Sequence, residues 1–318
     1  MSVFEPFEAF GDIGAIAERL FDADAAKRRL AVIELAETAS PEALPHLLDA
    51  VDDASADVRL QTAIALAEFD GAAVAGGLAR LVVDSDSNVA QAAADGLAEL
   101  KHPEAGNSIL PLLDHQSAFV RAAAFRGLKA LRLQDALGPA LVAMRDPDAT
   151  VRVQALGVVA YLKLESALPS LIAATRDESA EVRAAAVNGL SFTSHPTAAG
   201  SVAAALADSN WQVRAAAAES LGRIGHASAV ESLGRALADE FWQVRQKSLG
   251  ALGKLKAVAV SAQIGALLES EMPTLRKEAA AALGEIADPA TRDVLAAHVA
   301  DPDPDVRKTV RWALARLG

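Results

Sequence analysis

The sequence predicts an all-α fold, an α-solenoid of ten stacked helix pairs that form a right-handed superhelix. Three observations predict it: a motif recurs every 31 residues, each copy carries two apolar stripes of helical spacing, and short polar residues separate the stripes. A helix pair this short cannot bury its own stripe, whereas stacked neighbours can. We therefore expect a single repeat domain over residues 1–318, with ten repeats in 13–318.

The repeat is marked by the dipeptide Val-Arg. Its strict copies begin at Val58, Val120, Val151, Val182, Val213, Val244 and Val306. Three variant copies at the same 31-residue step begin at Lys27, Val89 and Leu275. We number every repeat from this first residue, which is position 0. No insertion interrupts the series, so the repeats are expected to stack without a linker.

Each repeat contains a first helix, a joint and a second helix. Apolar residues at positions −14, −11 and −7 form the stripe of the first helix, and those at 0, +4, +8 and +11 form the stripe of the second. Position −3 is Asp, Ser or Asn in eight of ten copies, which are the side chains preferred at a helix N-cap. Small residues at +4 and +7 predict close approach of neighbouring helices.

The N-terminal segment 1–12 precedes the first repeat and carries three aromatic residues, Phe4, Phe7 and Phe10. The open end of a solenoid exposes an apolar surface, which terminal capping segments cover. We therefore expect residues 1–12 to fold over the first repeat as a cap.

The full motif is seen best in Asp208–Gly222, which reads DSNWQVRAAAAESLG. It resembles the short HEAT-like repeats of the bilin-lyase (phycobilisome lyase) type, and the resemblance covers essentially the whole chain. It implies a HEAT-like solenoid. That superfamily includes chromophore lyases, scaffold and assembly factors, and relatives that act on proteins or DNA, so the fold does not decide the function.

Nine of ten repeats carry Arg at +1, and eight carry Asp at −5. Such a row could bind anions, but the resemblance implies an Asp–Arg ladder between neighbouring repeats. The ladder should be broken at Ala90, His115 and Ser270, where one of its residues is replaced.

Composition and charge exclude several classes of function. The chain has no cysteine, which excludes disulfides and thiolate metal sites, and the net charge of −12 offers no large basic face for nucleic acid. Residues 1–100 hold 19 acidic and six basic side chains; this excess serves solubility or meets a basic partner. We see no signal peptide, membrane span, nucleotide-binding loop or metal-ligand set. We predict a cytoplasmic protein without a cofactor, a metal or a membrane partner.

Position +10 lies at the exposed border of the second helix, and there the series changes from acidic to aromatic to mainly basic. The expected concave groove would therefore have an apolar centre. Its predicted partner-binding residues are Arg126, Tyr161, Asn188, Phe192, Glu219, Arg223 and Lys254. The two aromatic rings either bind a partner or cover their own repeats. A secondary patch, Trp211, Phe241 and Trp242, lies near the N-termini of second helices, where packing is favoured.

These features favour a non-enzymatic protein-binding scaffold, adaptor or assembly factor, whose groove holds a helix or an extended peptide. One alternative is a lyase-like factor that binds a tetrapyrrole or another cofactor, held by Arg126, Tyr161 and Phe192, and delivers it to a client protein. A HEAT-like DNA glycosylase is disfavoured because it needs a basic groove.

Overall fold

The computed structural model describes residues 12–193 and 195–317. The predicted cap residues Phe4, Phe7 and Phe10 lie outside this part of the chain. The chain divides into two compact units, Met1–Leu162 and Lys163–Gly318, and we describe each by itself. The single repeat domain stays a prediction. The described residues of both units form helices joined by turns and contain no strand, which confirms the all-α repeat fold.

The first unit contains five helix pairs. Its helices are α1 Ile13–Glu18, α2 Ala25–Glu37, α3 Leu44–Asp49, α4 Ala56–Leu66, α5 Ala72–Leu81, α6 Ser87–Glu99, α7 Gly106–Ile109, α8 Ala118–Leu131, α9 Leu137–Ala143 and α10 Ala149–Leu162. Odd-numbered helices are the short first helices, most of them flanked by 3-10 turns, and even-numbered ones are the second helices. Each second helix packs on the next, from α2 to α10.

The second unit repeats this order with five more pairs. Its helices are α11 Leu168–Ala174, α12 Ala180–Leu190, α13 Pro196–Ala204, α14 Trp211–Ile224, α15 Val230–Ala236, α16 Trp242–Lys254, α17 Ser261–Ala266, α18 Pro273–Ile286, α19 Arg292–Ala296 and α20 Pro304–Arg316. The second helices again pack in series, from α12 to α20.

The core of each unit lies between the two helical layers. Position +8 of the second helices is fully buried at Leu66 and Leu128 in the first unit and at Leu221 and Leu283 in the second. Position −11 of the first helices is buried opposite them, as at Leu47. Full burial of each such leucine contributes about 1.5–3 kcal/mol, so the two predicted stripes supply most of the stabilisation.

The predicted N-caps are formed mainly by the acidic residues. The side chains of Asp24, Asp86 and Asp303 accept backbone N–H groups at the starts of α2, α6 and α20, and Asn210 does so at α14. These caps satisfy N–H groups that have no partner within the helix, and each typically stabilises a helix by about 1 kcal/mol. The joint read from the sequence is thus confirmed at these repeats.

Glycine at position +9 allows the second helices of the second unit to approach closely. A Cβ atom added at Gly222 of α14 would lie 2.9 Å from the Cα atom of Ala251 in α16. Close approach of helices was predicted at the small residues of +4 and +7, and it occurs at +9 as well. By contrast, Gly250 of α16 has open space around its Cα atom.

This difference yields a prediction for two otherwise identical substitutions. Gly222→Ala should lower the free energy of unfolding by about 1–3 kcal/mol, because the new methyl group meets backbone that cannot move aside. Gly250→Ala should raise it by about 0.5–1 kcal/mol, because alanine loses less conformational entropy in a helix. Urea unfolding of both variants measures the effects; a gain of stability in Gly222→Ala would contradict the close helix approach.

Candidate functional site

The Asp–Arg row forms bridges between successive repeats. In the second unit, Arg183 of α12 donates from Nε and Nη2 to the carboxylate of Asp208, at 2.7 and 2.8 Å. Its Nη1 donates to the carbonyl oxygens of Asp177 and Glu178, both at 3.0 Å. The carboxylate of Asp208 also accepts the backbone N–H of Asn210 at 2.8 Å. Each rung therefore links one second helix to the joint that precedes it and to the joint of the next repeat.

The same bidentate pair recurs at the other complete rungs described within each unit. They are Arg28–Asp53, Arg59–Asp84 and Arg121–Asp146 in the first unit, and Arg214–Asp239 and Arg276–Asp301 in the second. All these side chains are largely buried. The structural ladder implied by the resemblance is confirmed at these rungs.

The ion pairs shift the pKa values of both partners. Hydrogen bonds from Arg183 hold the pKa of Asp208 below its ordinary value, although burial opposes this shift. The carboxylate of Asp208 in turn raises the pKa of Arg183. Both groups are therefore charged at neutral pH, and their donors and acceptors are already engaged within the protein.

The predicted breaks occur where expected. In the first unit, Ala90 and His115 replace both partners of one rung, and the Nδ1 atom of His115 accepts the backbone N–H of Ser117 at 3.1 Å. In the second unit, Ser270 stands at the aspartate position opposite Arg245.

In the first unit, a cation covers the aromatic residue of the predicted groove. Tyr161, near the end of α10, is half-buried, and the guanidinium carbon of Arg132 lies 4.8 Å from its ring centre. The Nη2 atom of Arg132 is 3.4 Å from the tyrosine hydroxyl. Arg132 follows α8 with a positive φ of 53°, and from there its side chain reaches the next repeat. This role of Arg132 was not predicted from the sequence.

The second unit contains an equivalent pair. Phe192 follows α12 and is 52% exposed, with the Nζ atom of Lys163 4.8 Å from its ring centre. The same separation of 29 residues joins Arg132 to Tyr161 and Lys163 to Phe192. Neither ring is buried in the core, so both lie at surface positions where a partner could touch them. Their role in binding stays a prediction.

The charged residues of the predicted groove are partly paired with one another. Glu219 contacts Arg223 on its own helix, and the Nζ atom of Lys247 on α16 lies 2.7 Å from its carboxylate. Lys247 lowers the pKa of Glu219, against the opposing effect of burial. Lys254, at the end of α16, is exposed. We call the +10 positions of the second helices, which include Tyr161, Phe192, Arg223 and Lys254, the lane. Glu219 pairs with Arg223 of this lane, whereas Lys254 stays open to a partner.

The two remaining polar groove residues also contact neighbouring repeats. The Nη1 atom of Arg126 in α8 lies 2.8 Å from a carboxylate oxygen of Asp95 in α6. The side-chain oxygen of Asn188 lies 3.5 Å from the hydroxyl of Ser220. The ion pair of Arg126 competes with the acid-binding role that the tetrapyrrole hypothesis gives this side chain.

The secondary aromatic patch consists of a stacked pair and a third, unstacked ring. Trp211 and Phe241 stack with ring centres 5.5 Å apart and an interplanar angle of 13°. The guanidinium of Arg214 lies 5.6 Å from the centre of the Phe241 ring. Phe241, which replaces an N-cap residue, therefore covers a ladder rung. Trp242 is 36% exposed.

Two further features concern the described residues as a whole. No group of three or more His, Asp or Glu side chains among them is arranged to hold a metal ion. None of the helices in residues 12–193 and 195–317 is long and apolar enough to cross a membrane. In the second unit, open grooves of about 670 and 470 Å³ lie beside α15, but they contain none of the predicted binding residues.

Sequence comparison identifies the repeat. A profile for HEAT repeats matches nearly the whole chain, at residues 13–82, 74–144, 138–208, 199–264 and 261–318. The chain belongs to the HEAT-repeat family. The profile describes HEAT repeats in general, so membership of the bilin-lyase type stays a hypothesis. Among curated proteins, none matches the sequence.

Several solved structures share this HEAT fold. An engineered protein is 20% identical, with a TM-score of 0.50, and the match covers 96% of this chain and 98% of that one. Kap95p, in a structure with RanGDP, is 15% identical with a TM-score of 0.60, and the match covers 96% and 48%. Importin beta is 15% identical with a TM-score of 0.58, and the match covers 96% of this chain and 55% of that one. The HEAT chain spans about half the length of the last two proteins, and at these identities the likeness concerns the fold alone.

Proposed function

We propose that this HEAT-repeat protein is a non-enzymatic scaffold that binds another protein across the ends of its second helices. The observation that carries the proposal is the half-exposed ring of Phe192, which no core contact requires. A large aromatic side chain at the surface of a solenoid is a typical anchor point for a partner. The Kap95p structure with RanGDP provides a HEAT-fold protein in complex with another protein.

The charges around the rings indicate the chemistry of the partner. Lys163 lies beside Phe192 and Lys254 is exposed in the same unit, so this lane favours a segment with an apolar anchor and carboxylates. In the first unit the equivalent positions carry Glu68 and Glu99, which favour basic residues. A helix or an extended peptide with carboxylates therefore suits the second unit, and one with basic residues suits the first.

The titratable groups support binding rather than catalysis. A catalytic acid commonly has a raised pKa. Where a shift is resolved among the described carboxyl groups, the pKa is lowered, and the causes are ladder arginines, other ion pairs or backbone N–H groups. These acids therefore serve the architecture.

A pull-down from the source organism, followed by mass spectrometry, tests the proposal. The double variant Tyr161→Ala/Phe192→Ala should remain folded by circular dichroism and lose its protein partners, because truncation of an aromatic anchor costs about 2 kcal/mol or more, a loss of roughly 30-fold in affinity for each. Phe119→Ala is the matched control, since that ring is also exposed but lies at the start of α8, outside the lane. A folded double variant that retains every partner would refute the proposed surface.

A further inference from the structure

The ladder of the second unit contains one arginine without its carboxylate. At the preceding rung, Asp239 accepts hydrogen bonds from Nε and Nη2 of Arg214, at 2.7 and 3.0 Å. Arg245 occupies the equivalent place one repeat later, but Ser270 stands where the aspartate would be. A serine hydroxyl is too short and carries too few acceptor oxygens to receive the two parallel N–H groups of a guanidinium.

The backbone nevertheless holds Arg245 in the ladder orientation. Its Nη1 donates to the carbonyl oxygens of Asp239 and Glu240, at 2.6 and 3.2 Å, as the other ladder arginines do. The hydroxyl of Ser270 accepts the backbone N–H of Met272 at 3.2 Å, and thus fulfils only that part of the aspartate's role. Within the described chain, Nε and Nη2 of Arg245 have no hydrogen-bond acceptor.

The other break in the ladder differs in this respect. In the first unit, Ala90 replaces the arginine while His115 replaces the aspartate, so no guanidinium remains there. At Arg245 the acid alone is replaced, so the Nε and Nη2 donors lack the carboxylate that their counterparts bind at the other rungs. A partly buried guanidinium in this state gains strongly from any planar oxyanion that reaches it.

An indole next to this position also lacks the partner that its predecessor has. Trp211 stacks on Phe241, and Phe241 covers Arg214. One repeat later, Met272 stands at the position of Phe241, and Trp242 has no stacked aromatic partner in the described part of the chain. With 36% of its surface exposed, the Trp242 indole is available for an apolar contact.

We propose that Arg245 and Trp242 bind an acidic-aromatic peptide segment of the partner protein. Its carboxylate receives Nε and Nη2 of Arg245, and its aromatic ring packs on Trp242. The partner thereby supplies from outside the two groups that Asp239 and Phe241 supply at the preceding rung. This inference rests on the proposed scaffold function, but the site lies at the N-terminal ends of second helices and not in the lane of Phe192.

The test uses the full chain and a blocked pentapeptide of sequence Gly-Asp-Gly-Phe-Gly. Its titration is followed by the NMR signal of the Arg245 Nε–H group, assigned by its loss in Arg245→Lys. We expect a saturable shift at millimolar peptide, and at least tenfold weaker binding when the peptide Asp is replaced by Asn. The Nε–H signal of Arg276 is the internal control, because Asp301 already occupies its fork.

Ser270→Asp provides the decisive variant. The new carboxylate should complete the rung, weaken peptide binding at least tenfold and raise the Tm by roughly 2–4 °C. Trp242→Ala should weaken binding of the same peptide and not of acetate. If Ser270→Asp does not fold, Arg245→Gln serves as the second variant, and peptide binding, followed by the indole N–H signal of Trp242, should weaken at least tenfold.

Three results would overturn the inference: no shift of the Arg245 signal by the Asp peptide, undiminished binding by a folded Ser270→Asp variant, or an equal response to sodium acetate. The last would assign the site to free small carboxylates. Because the peptide assay does not use the natural partner, these results leave the Tyr161 and Phe192 experiment unaffected. Conversely, if the Tyr161 and Phe192 experiment refuted the lane as a binding surface, the result of the peptide titration would still stand.

Discussion

Replacing Arg183 with alanine is expected to lower the free energy of unfolding by about 2–4 kcal/mol, somewhat less than the loss of a fully buried ion-pair partner. The substitution removes two hydrogen bonds to Asp208 and two to backbone carbonyl groups. It also leaves a carboxylate that is only 11% exposed without its counter-ion. Partner affinity should change only as far as stability does.

Arg245→Ala is the matched control for this experiment. Arg245 donates to the same two types of carbonyl oxygen but has no aspartate opposite, so its removal leaves no buried carboxylate unpaired. We expect this variant to lose about 1 kcal/mol or less. Urea unfolding, with hydrogen exchange of α12 and α14 to detect partial opening, measures both. Equal losses in the two variants would show that the carbonyl contacts, and not the ion pair, stabilise the repeats.

The fold and the ladder could be predicted because both repeat strictly in the sequence. The buried leucine at +8 and the Asp–Arg pair recur at a constant step, and a constant step places equivalent residues at equivalent contacts. Arg183 illustrates the limit of that argument. Asp177 lies six residues before it in the sequence, whereas the carboxylate that Arg183 binds belongs to Asp208 of the next repeat.

The surroundings of the candidate groove were harder to predict. Arg132 follows α8 with a positive φ, and from there its side chain reaches Tyr161. A glycine at this position would have indicated the positive φ, but an arginine does not. The close approach at Gly222 depends on how two helices cross, which a single helical stripe does not specify. Phe241 breaks the N-cap rule, and its compensation, the stack on Trp211, depends on a contact between repeats.

Acid is expected to destabilise the protein steeply below about pH 4, because the ladder carboxylates must then take up protons to unfold. Ladder arginines hold the pKa of Asp53, Asp84, Asp208 and Asp301 below the ordinary value. A lowered folded-state pKa means that the unfolded chain binds protons first, at about 3.9 for Asp. The contribution of each rung is therefore fully present above this value and is lost as the pH falls through the folded-state pKa.

Asp208→Asn isolates one of these groups, because asparagine has nearly the shape of the protonated acid and cannot ionise. At pH 7 this variant should be clearly less stable than the original protein, and the difference should shrink as the pH falls from 5 toward 3. The slope of stability against pH should also decrease by up to one proton, which is about 1.4 kcal/mol per pH unit. Urea unfolding at a series of pH values measures both quantities. A difference that stayed constant over this range would mean that Asp208 contributes through its shape and neutral hydrogen bonds, and that the charge on the ladder has no part in holding neighbouring repeats together.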